Sequence, residues 1–397
     1  CPSLIRDDEH NLIVKRRLRP VVGETGKMDV AALHELEKGK EFIYEVYTDT
    51  NCEIELDDEP PYKMNTEALD IALQISLLLN ATPVDEIQVM RKTVIDGSCV
   101  SSFQRTLLVA TSGYIETKSG KITIPTVMLE EDAARKIKED ENSVTYRLDR
   151  LGIPLIEIAT GPEIKTPEQA REVASYLGMV LRSTERVKRG IGSIRQDVNL
   201  SIKNGARVEI KGVQDLNSIP KVIEKEIERQ LDLIKQGKKL KEEVRKANPD
   251  NTTSFLRPMP GADRLYPETD LNTIKITSER LKKIKLPELL TDKAINLEQK
   301  YKINSELARL LVIKKIDFDK YVKKYKNIEP NFIAQTLTLT PENIKGHYNL
   351  DISKIKQSDF EKIFSSLDSK NFSNEGVEEF LTDFCKGQKF ILFFSSL

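Results

Sequence analysis

Short segments of alternating apolar and polar residues dominate the first 130 positions. Residues 42–47 (Phe-Ile-Tyr-Glu-Val-Tyr) and 105–110 mix aromatic and β-branched side chains as strands do. Ser112-Gly113-Tyr114 and Ser119-Gly120-Lys121 predict turns, the second leading into Ile122-Thr123-Ile124. Between them the period changes. From 65 to 79, Ala68, Leu69, Ala72, Leu73, Ile75 and Leu79 fall on one helical face, with Asn65 as the N-cap. Further on, 143–160 reads as two strands around a turn. A helix follows over 167–182, capped by Thr166 with Pro167 in its first turn. Residues 195–202 and 207–210 form a hairpin signal around Lys203-Asn204-Gly205. Ser218 and Pro220 open a long helix expected to reach about 246, weakest at Gly237.

After Asp270 the pattern becomes lysine-rich and helical, near 278–285, 288–300, 305–313, 318–325 and 331–339, with short spacings that predict a bundle. Two capped amphipathic helices, 358–367 and 373–384, precede an apolar end at 390–394. Segregated strands and helices indicate an α+β fold: a β-rich catalytic domain over 1–275, a helical domain over 276–348 and a partial helical tail over 349–397.

Composition removes several classes. Among 397 residues, 62 basic and 63 acidic side chains nearly cancel, so a nucleic-acid partner must meet a local patch rather than a basic whole. Lysines and arginines crowd 235–246, which a solvated surface explains as well as RNA does. No apolar run approaches the roughly 18 residues of a membrane span. The opening Cys1-Pro2-Ser3-Leu4 is unlike a secretory signal, which predicts a cytoplasmic protein; without an initiator Met, the numbering is expected to begin inside a longer chain. Four scattered cysteines make no CxxC pair and argue against a disulfide scaffold. Neither a Gly-x-Gly-x-x-Gly nor a Gly-Lys-Ser/Thr loop is present, so a nucleotide must be held some other way. Three histidines, at 10, 34 and 347, give little material for histidine chemistry.

The acids carry more information. Glu130, Glu131 and Asp132 follow an apolar segment directly, although a helix start would account for them too. Glu157 lies within Ile153-Pro154-Leu155-Ile156-Glu157-Ile158-Ala159, where an unpaired charge would be costly, so it needs a cation or an open edge. Arg195, Asp197, Asn199 and Ser201 share one face of a strand, and Glu209 and Lys211 share another. If these elements meet, Glu130, Glu131, Asp197 and Glu209 can hold a hard cation such as magnesium. Arg195 and Lys211 can then neutralise the phosphates of ATP.

The ordered phrases Leu56-Asp57-Asp58-Glu59-Pro60-Pro61, Arg91-Lys92-Thr93-Val94-Ile95-Asp96-Gly97-Ser98, Phe103-Gln104-Arg105-Thr106 and Leu129-Glu130-Glu131-Asp132 resemble the GatB/GatE family of tRNA-dependent amidotransferases. Asp149-Arg150-Leu151-Gly152 with the run after it, Ser193 to Ser201, Glu209-Ile210-Lys211, Arg257-Pro258-Met259-Pro260-Gly261-Ala262 and Tyr266-Pro267-Glu268-Thr269-Asp270 extend the likeness over about 270 residues. The wording near 91–106 and 257–270 favours the archaeal E type over the B type. The resemblance implies ATP- and magnesium-dependent phosphorylation of glutamate carried on tRNA(Gln), followed by attack of ammonia. It also implies a heterotetramer in which an asparaginase-like D subunit supplies the ammonia. By the same resemblance, Glu130, Glu131, Asp197 and Glu209 are metal ligands, and Ser193, Arg195, Asn199 and Lys211 surround the nucleotide. Arg150, Glu157, Asp197 and Lys211 are implied to be catalytic. The chain departs from the family in three ways: it lacks the opening Gly-Leu-Glu-Ile/Val-His segment, an insertion like an aspartyl-tRNA synthetase domain before Pro249, and part of the tail. A tRNA-binding or scaffold subunit without catalysis, and a B-type enzyme acting also on aspartyl-tRNA(Asn), stay open as alternatives.

Overall fold

A computed structural model describes residues 5–17, 28, 30–188, 190, 192–261, 265–371 and 373–386. The first part of the chain forms β1 (Leu12–Arg17), α1 (Val30–Glu37), β2 (Glu41–Val46), α2 (Thr66–Leu78), β3 (Thr82–Pro83), β4 (Glu86–Ile87) and β5 (Val89–Thr93). Next come β6 (Phe103–Thr117), β7 (Gly120–Glu131), β8 (Arg135–Glu139), β9 (Ser143–Arg147), β10 (Pro154–Ala159) and α3 (Pro167–Ser183). They are followed by β11 (Val198–Leu200), β12 (Val208–Lys211), α4 (Ser218–Lys235), β13 (Glu243–Ala247), β14 (Thr253–Pro258), β15 (Leu265–Pro267), β16 (Ile274–Lys275) and α5 (Ser278–Lys283). Helices α6 (Leu290–Tyr301), α7 (Ser305–Ile313), α8 (Phe318–Lys324), α9 (Pro330–Tyr348), α10 (Gln357–Asp368) and α11 (Val377–Cys385) complete the order. The architecture is α+β. Among the described residues, no helix is long and apolar enough to cross a membrane.

Two compact units divide after Leu286. The first holds three larger sheets. One runs β1-β2-β9-β8, the second β10-β7-β6-β5-β15 with β3 beside β6, and the third β11-β12-β13-β14. In the second sheet α2 lays Leu69, Ala72 and Leu73 onto Val89, Leu107, Val109 and Leu129. Asn65 caps this helix by accepting from the Glu67 and Ala68 amides, and Thr166 caps α3 by accepting from Gln169. The third sheet pairs β12 with β13 in parallel, and α4 makes the crossover; Val208 and Ile210 pack there with Ile219, Val222 and Ile223.

Several expectations change. β9 and β10 are not partners: β9 joins β2, whereas β10 joins β7. The long helix stops at Lys235, because Gly237 takes φ +69 and turns the chain, and the basic stretch ends in strand β13. Positions 112–114 lie within β6, where Ser112 at φ 58 sits near a register irregularity instead of a turn. The first unit extends past residue 275, since Leu281 and Ile284 pack on the α2 core and Arg280 meets Asp70 at 2.8 Å.

The second unit is helical, with one core. Phe318, Tyr321 and Leu337 pack with Phe364 and Leu381, so α10 and α11 belong to the same body as α6 to α9, and the expected division at 348/349 is not seen. The apolar end at 390–394 lies outside the described residues.

Candidate active site

Strand register decides which acids can meet. In the second sheet Glu130 stands opposite Thr106 on one side and Leu155 on the other, while Met128 stands opposite Glu157. Alternation therefore puts Thr106, Glu130 and Glu157 on one face, together with Gln104 and its partner Lys92. Glu131 points the other way, with Leu129, Leu107 and Arg105. The adjacent glutamates thus serve different neighbourhoods. Glu130 is 1% exposed; it accepts from Lys92 Nζ at 2.5 Å and from Thr106 Oγ1 at 2.9 Å. Glu131 is held by Arg105 at 2.7 Å.

Glu157 keeps half of its side chain open, and Lys92 Nζ lies 3.7 Å away. Burial, then the nearby charge of Glu130, pushes its carboxyl above the usual carboxylate range, against the pull of Lys92 and Lys211. Lys211 and Asp197 come from the third sheet. There Asn199 pairs with Glu209, and Val198 with Ile210, so Asn199, Glu209 and Lys211 share the face opposite the α4 core, with Asp197 next to the strand. Lys211 Nζ bridges Asp197 at 2.8 Å and Glu209 at 2.5 Å. Burial pulls its ammonium pKa down, but the two carboxylates outweigh burial and leave it raised, so the side chain stays charged. Lys92, between Glu130 and Glu157, and Lys211, between Asp197 and Glu209, thus both act on the Glu157 carboxylate.

Asp132 ties the two sheets together. Its Oδ2 accepts from Arg195 Nη2 at 2.8 Å, and Arg150 Nε lies 3.5 Å from it. Arg150 also donates to the carbonyls of Ala133 and Ala134. Burial lowers its pKa, Asp132 opposes that, and Arg195 adds to it. Two guanidiniums thus share one carboxylate, which leaves positive charge over. Beside them a cavity of about 730 Å³ reaches Glu130, Glu131 and Asp132, and is also lined by Arg91, Phe103 and Arg105; it does not reach Glu157 or Lys211.

Residues 37–282, more than half of the chain, match the GatB/GatE catalytic domain. The chain belongs to the GatB/GatE family. It is 38% identical to the E subunit of glutamyl-tRNA(Gln) amidotransferase from Methanocaldococcus jannaschii, over 97% of this chain and 83% of that protein. The E subunits of the same enzyme from Methanosarcina acetivorans and Pyrococcus furiosus are each 35% identical to it, over 97% and 92% of this chain and 82% of each relative. The alignment with the first spans 525 positions, beyond the 397 residues here, so that relative carries internal residues with no counterpart in this chain.

The GatB/GatE residues singled out from sequence are sorted by this geometry. Glu130 and Glu157 come together, and so do Asp197, Glu209 and Lys211. Arg150 and Arg195 meet at Asp132. Glu131 does not join the first group, because adjacent strand residues diverge. Ser193 donates instead to the Gly190 carbonyl at 2.8 Å, within its own loop. Asn199 is exposed, paired across the ladder with Glu209. The expected four-acid cage is not formed: among the described residues no three His, Cys, Asp or Glu side chains are grouped to hold a metal ion. A nucleotide-bound magnesium asks for less, one or two carboxylates besides phosphates and water. Glu157 suits that mode, as a half-open carboxylate under-neutralised beside Glu130. The residues that sequence reasoning missed are Lys92 and Thr106, while Asp132 was grouped with Glu130 and Glu131 without a role of its own. Lys92 and Thr106 sit in matched phrases, and the alternation of β6 and β7 was the available signal.

Proposed function

We propose that this GatB/GatE chain phosphorylates the side-chain carboxylate of glutamate esterified to tRNA(Gln), with ATP and magnesium. Ammonia then displaces phosphate and leaves glutaminyl-tRNA(Gln). The observation that carries this reading is the two lysine-bridged carboxylate pairs, Glu130 with Glu157 and Asp197 with Glu209, together with two arginines at Asp132. The names of the archaeal relatives supply the substrate.

The chemistry joins two anions, so cations must be fixed before they meet. Arg195 and Arg150 present planar forks that suit phosphate oxygens. Lys211, kept charged by Asp197 and Glu209, neutralises developing negative charge. Glu157, under-neutralised beside Glu130, would hold magnesium, whose role when bound is to offset the charge of the triphosphate. A carboxylate is a poor acceptor for ammonia, whereas an acyl phosphate carries a good leaving group and must be kept from water. The ammonia is supplied by an asparaginase-like D subunit in a heterotetramer, and the work is done in the cytoplasm.

A second reading, a tRNA-binding subunit without catalysis, draws on the fact that Glu130, Glu131, Asp132, Asp197 and Glu209 all have lysine or arginine partners. One assay separates the two. The assembled enzyme is given ATP, magnesium, ammonium chloride and glutamyl-tRNA(Gln), and ATP hydrolysis and glutaminyl-tRNA are followed. Hydrolysis that depends on the aminoacyl-tRNA is expected; none at all would leave the binding role. Aspartyl-tRNA(Asn) in the same assay tests the B-type alternative, and no turnover is expected.

A further inference from the structure

Lys92 is given no contact with substrate above, yet it lies beside the half-open Glu157. It projects from β5 onto the face shared by Thr106, Glu130 and Glu157, and its side chain is 19% exposed. Its anchor is Glu130, which is 1% exposed and has only Thr106 as a further partner among the described residues, so withdrawal of Lys92 would strand a buried carboxylate. An ammonium has three N–H donors. One is spent on Glu130, and Glu157 at 3.7 Å is too far for a hydrogen bond. Donors therefore remain on a fixed cation beside a half-open carboxylate.

The other cations divide the work by shape. Arg150 and Arg195 offer forks near Asp132, and Lys211 is engaged by two acids. Lys92 offers a compact point charge at the floor of the face, which suits a single carboxylate oxygen better than a triphosphate. We propose that Lys92 binds the carboxylate of the aminoacyl group that accepts the phosphoryl group, an inference that rests on the function proposed above. One carboxylate oxygen attacks the γ-phosphorus, the new O–P bond forms, and the bond to the β,γ-bridging oxygen breaks with its electron pair leaving on ADP. No proton moves. Lys92 donates to the other carboxylate oxygen, which orients the nucleophile and offsets its repulsion from the phosphates.

The test uses Lys92→Arg and Lys92→Met in the full assembled enzyme, with steady-state ATP hydrolysis driven by glutamyl-tRNA(Gln). For Lys92→Met, kcat/KM for the aminoacyl-tRNA is expected to fall about 100-fold or more, the scale of losing one donor to reacting charge. For Lys92→Arg, which keeps the charge but misplaces the donors, the expected fall is about tenfold. KM for ATP and the affinity for deacylated tRNA should stay within about threefold in both, whereas Arg195→Met should raise KM for ATP. If Lys92→Met does not fold because Glu130 is stranded, Lys92→Arg decides alone. Wild-type kcat/KM in Lys92→Arg, or a loss spread equally over ATP and deacylated tRNA, overturns the assignment. A wild-type enzyme with no glutamyl-tRNA-dependent hydrolysis would instead sink the proposed function itself.

Discussion

Arg91 and Glu268 offer the sharpest test of how the site is held. Glu268 is fully buried and accepts two hydrogen bonds from Arg91, at 2.9 and 2.7 Å, across the pairing of β5 with β15. Among the described residues its one other donor is the Asp270 amide, at a marginal 3.3 Å. Arg91→Met therefore leaves a buried charge almost unpaired, which costs about 3–5 kcal/mol, a large part of a typical domain's stability. For a unit of this size that is roughly 6–15 °C in melting temperature. Arg91→Met/Glu268→Met removes the charge together with its partner and should fall within about 1–2 kcal/mol of wild type.

The pH dependence carries the sign. Burial raises the Glu268 carboxyl, but Arg91 and the Asp270 amide outweigh it and hold the pKa below its ordinary value. The pair's contribution is therefore present above about pH 4.3 and is lost as the pH falls through the lower folded value. In Arg91→Met burial, the largest influence, is opposed only by a weak amide and the more distant charge of Arg105, so the folded pKa is expected to rise above the unfolded one. The defect should then be smaller at pH 4.5 than at pH 7. Urea unfolding followed by far-UV circular dichroism suits a chain without tryptophan. A single-variant loss below about 1 kcal/mol, or a double variant as damaged as the single, would refute the claim that this buried charge depends on its partner.

Three further outcomes follow from the same geometry. Glu157→Gln should abolish aminoacyl-tRNA-dependent ATP hydrolysis without lowering the melting temperature at pH 7. The fold disfavours this ionised carboxylate, so wild-type stability declines as pH rises towards its raised pKa, and the variant should lose that slope. Glu130→Gln should raise the magnesium concentration needed for half-maximal hydrolysis, while Glu131→Gln, on the other face, should leave it within about twofold; equal shifts would contradict the register argument. Lys211→Met should lower kcat by about 100-fold or more, as expected for losing a fixed cation at reacting charge, and unchanged turnover would remove Lys211 from the site.

Local signals were readable where one residue and its near neighbours decide the outcome. Asn65 and Thr166 cap their helices because a side-chain oxygen there meets amides two or three residues on. The face carrying Asn199, Glu209 and Lys211 follows from alternation opposite Val208 and Ile210. Other features depend on which strand lies beside which. Residues 143–147 and 154–159 sit close in sequence yet join different sheets, and no local rule assigns their partners. The acids at 130–132 fit a helix start equally well, which hid the consequence of a strand there: Glu130 and Glu131 must separate. Lys92 was passed over for the same reason. It becomes informative only once β5 is known to lie beside β6 and Glu130 to be buried beneath it.

The pairing of Glu130, Asp132, Asp197 and Glu209 with cations bears directly on the chemistry. A carboxylate as deeply buried as Glu130 cannot wait unpartnered for a metal, since the desolvation penalty would be met in every resting molecule. Lys92 meets it permanently, and in doing so fixes a positive charge where a second carboxylate has to be admitted. Lys211 does the same between Asp197 and Glu209. Among the described acids of the site, Glu157 is the one whose pKa is raised, so it is the position at which an incoming cation gains most. Stability and reactivity thus draw on the same residues: the lysines that make the buried acids tolerable also form the cationic floor on which two anions can be brought together.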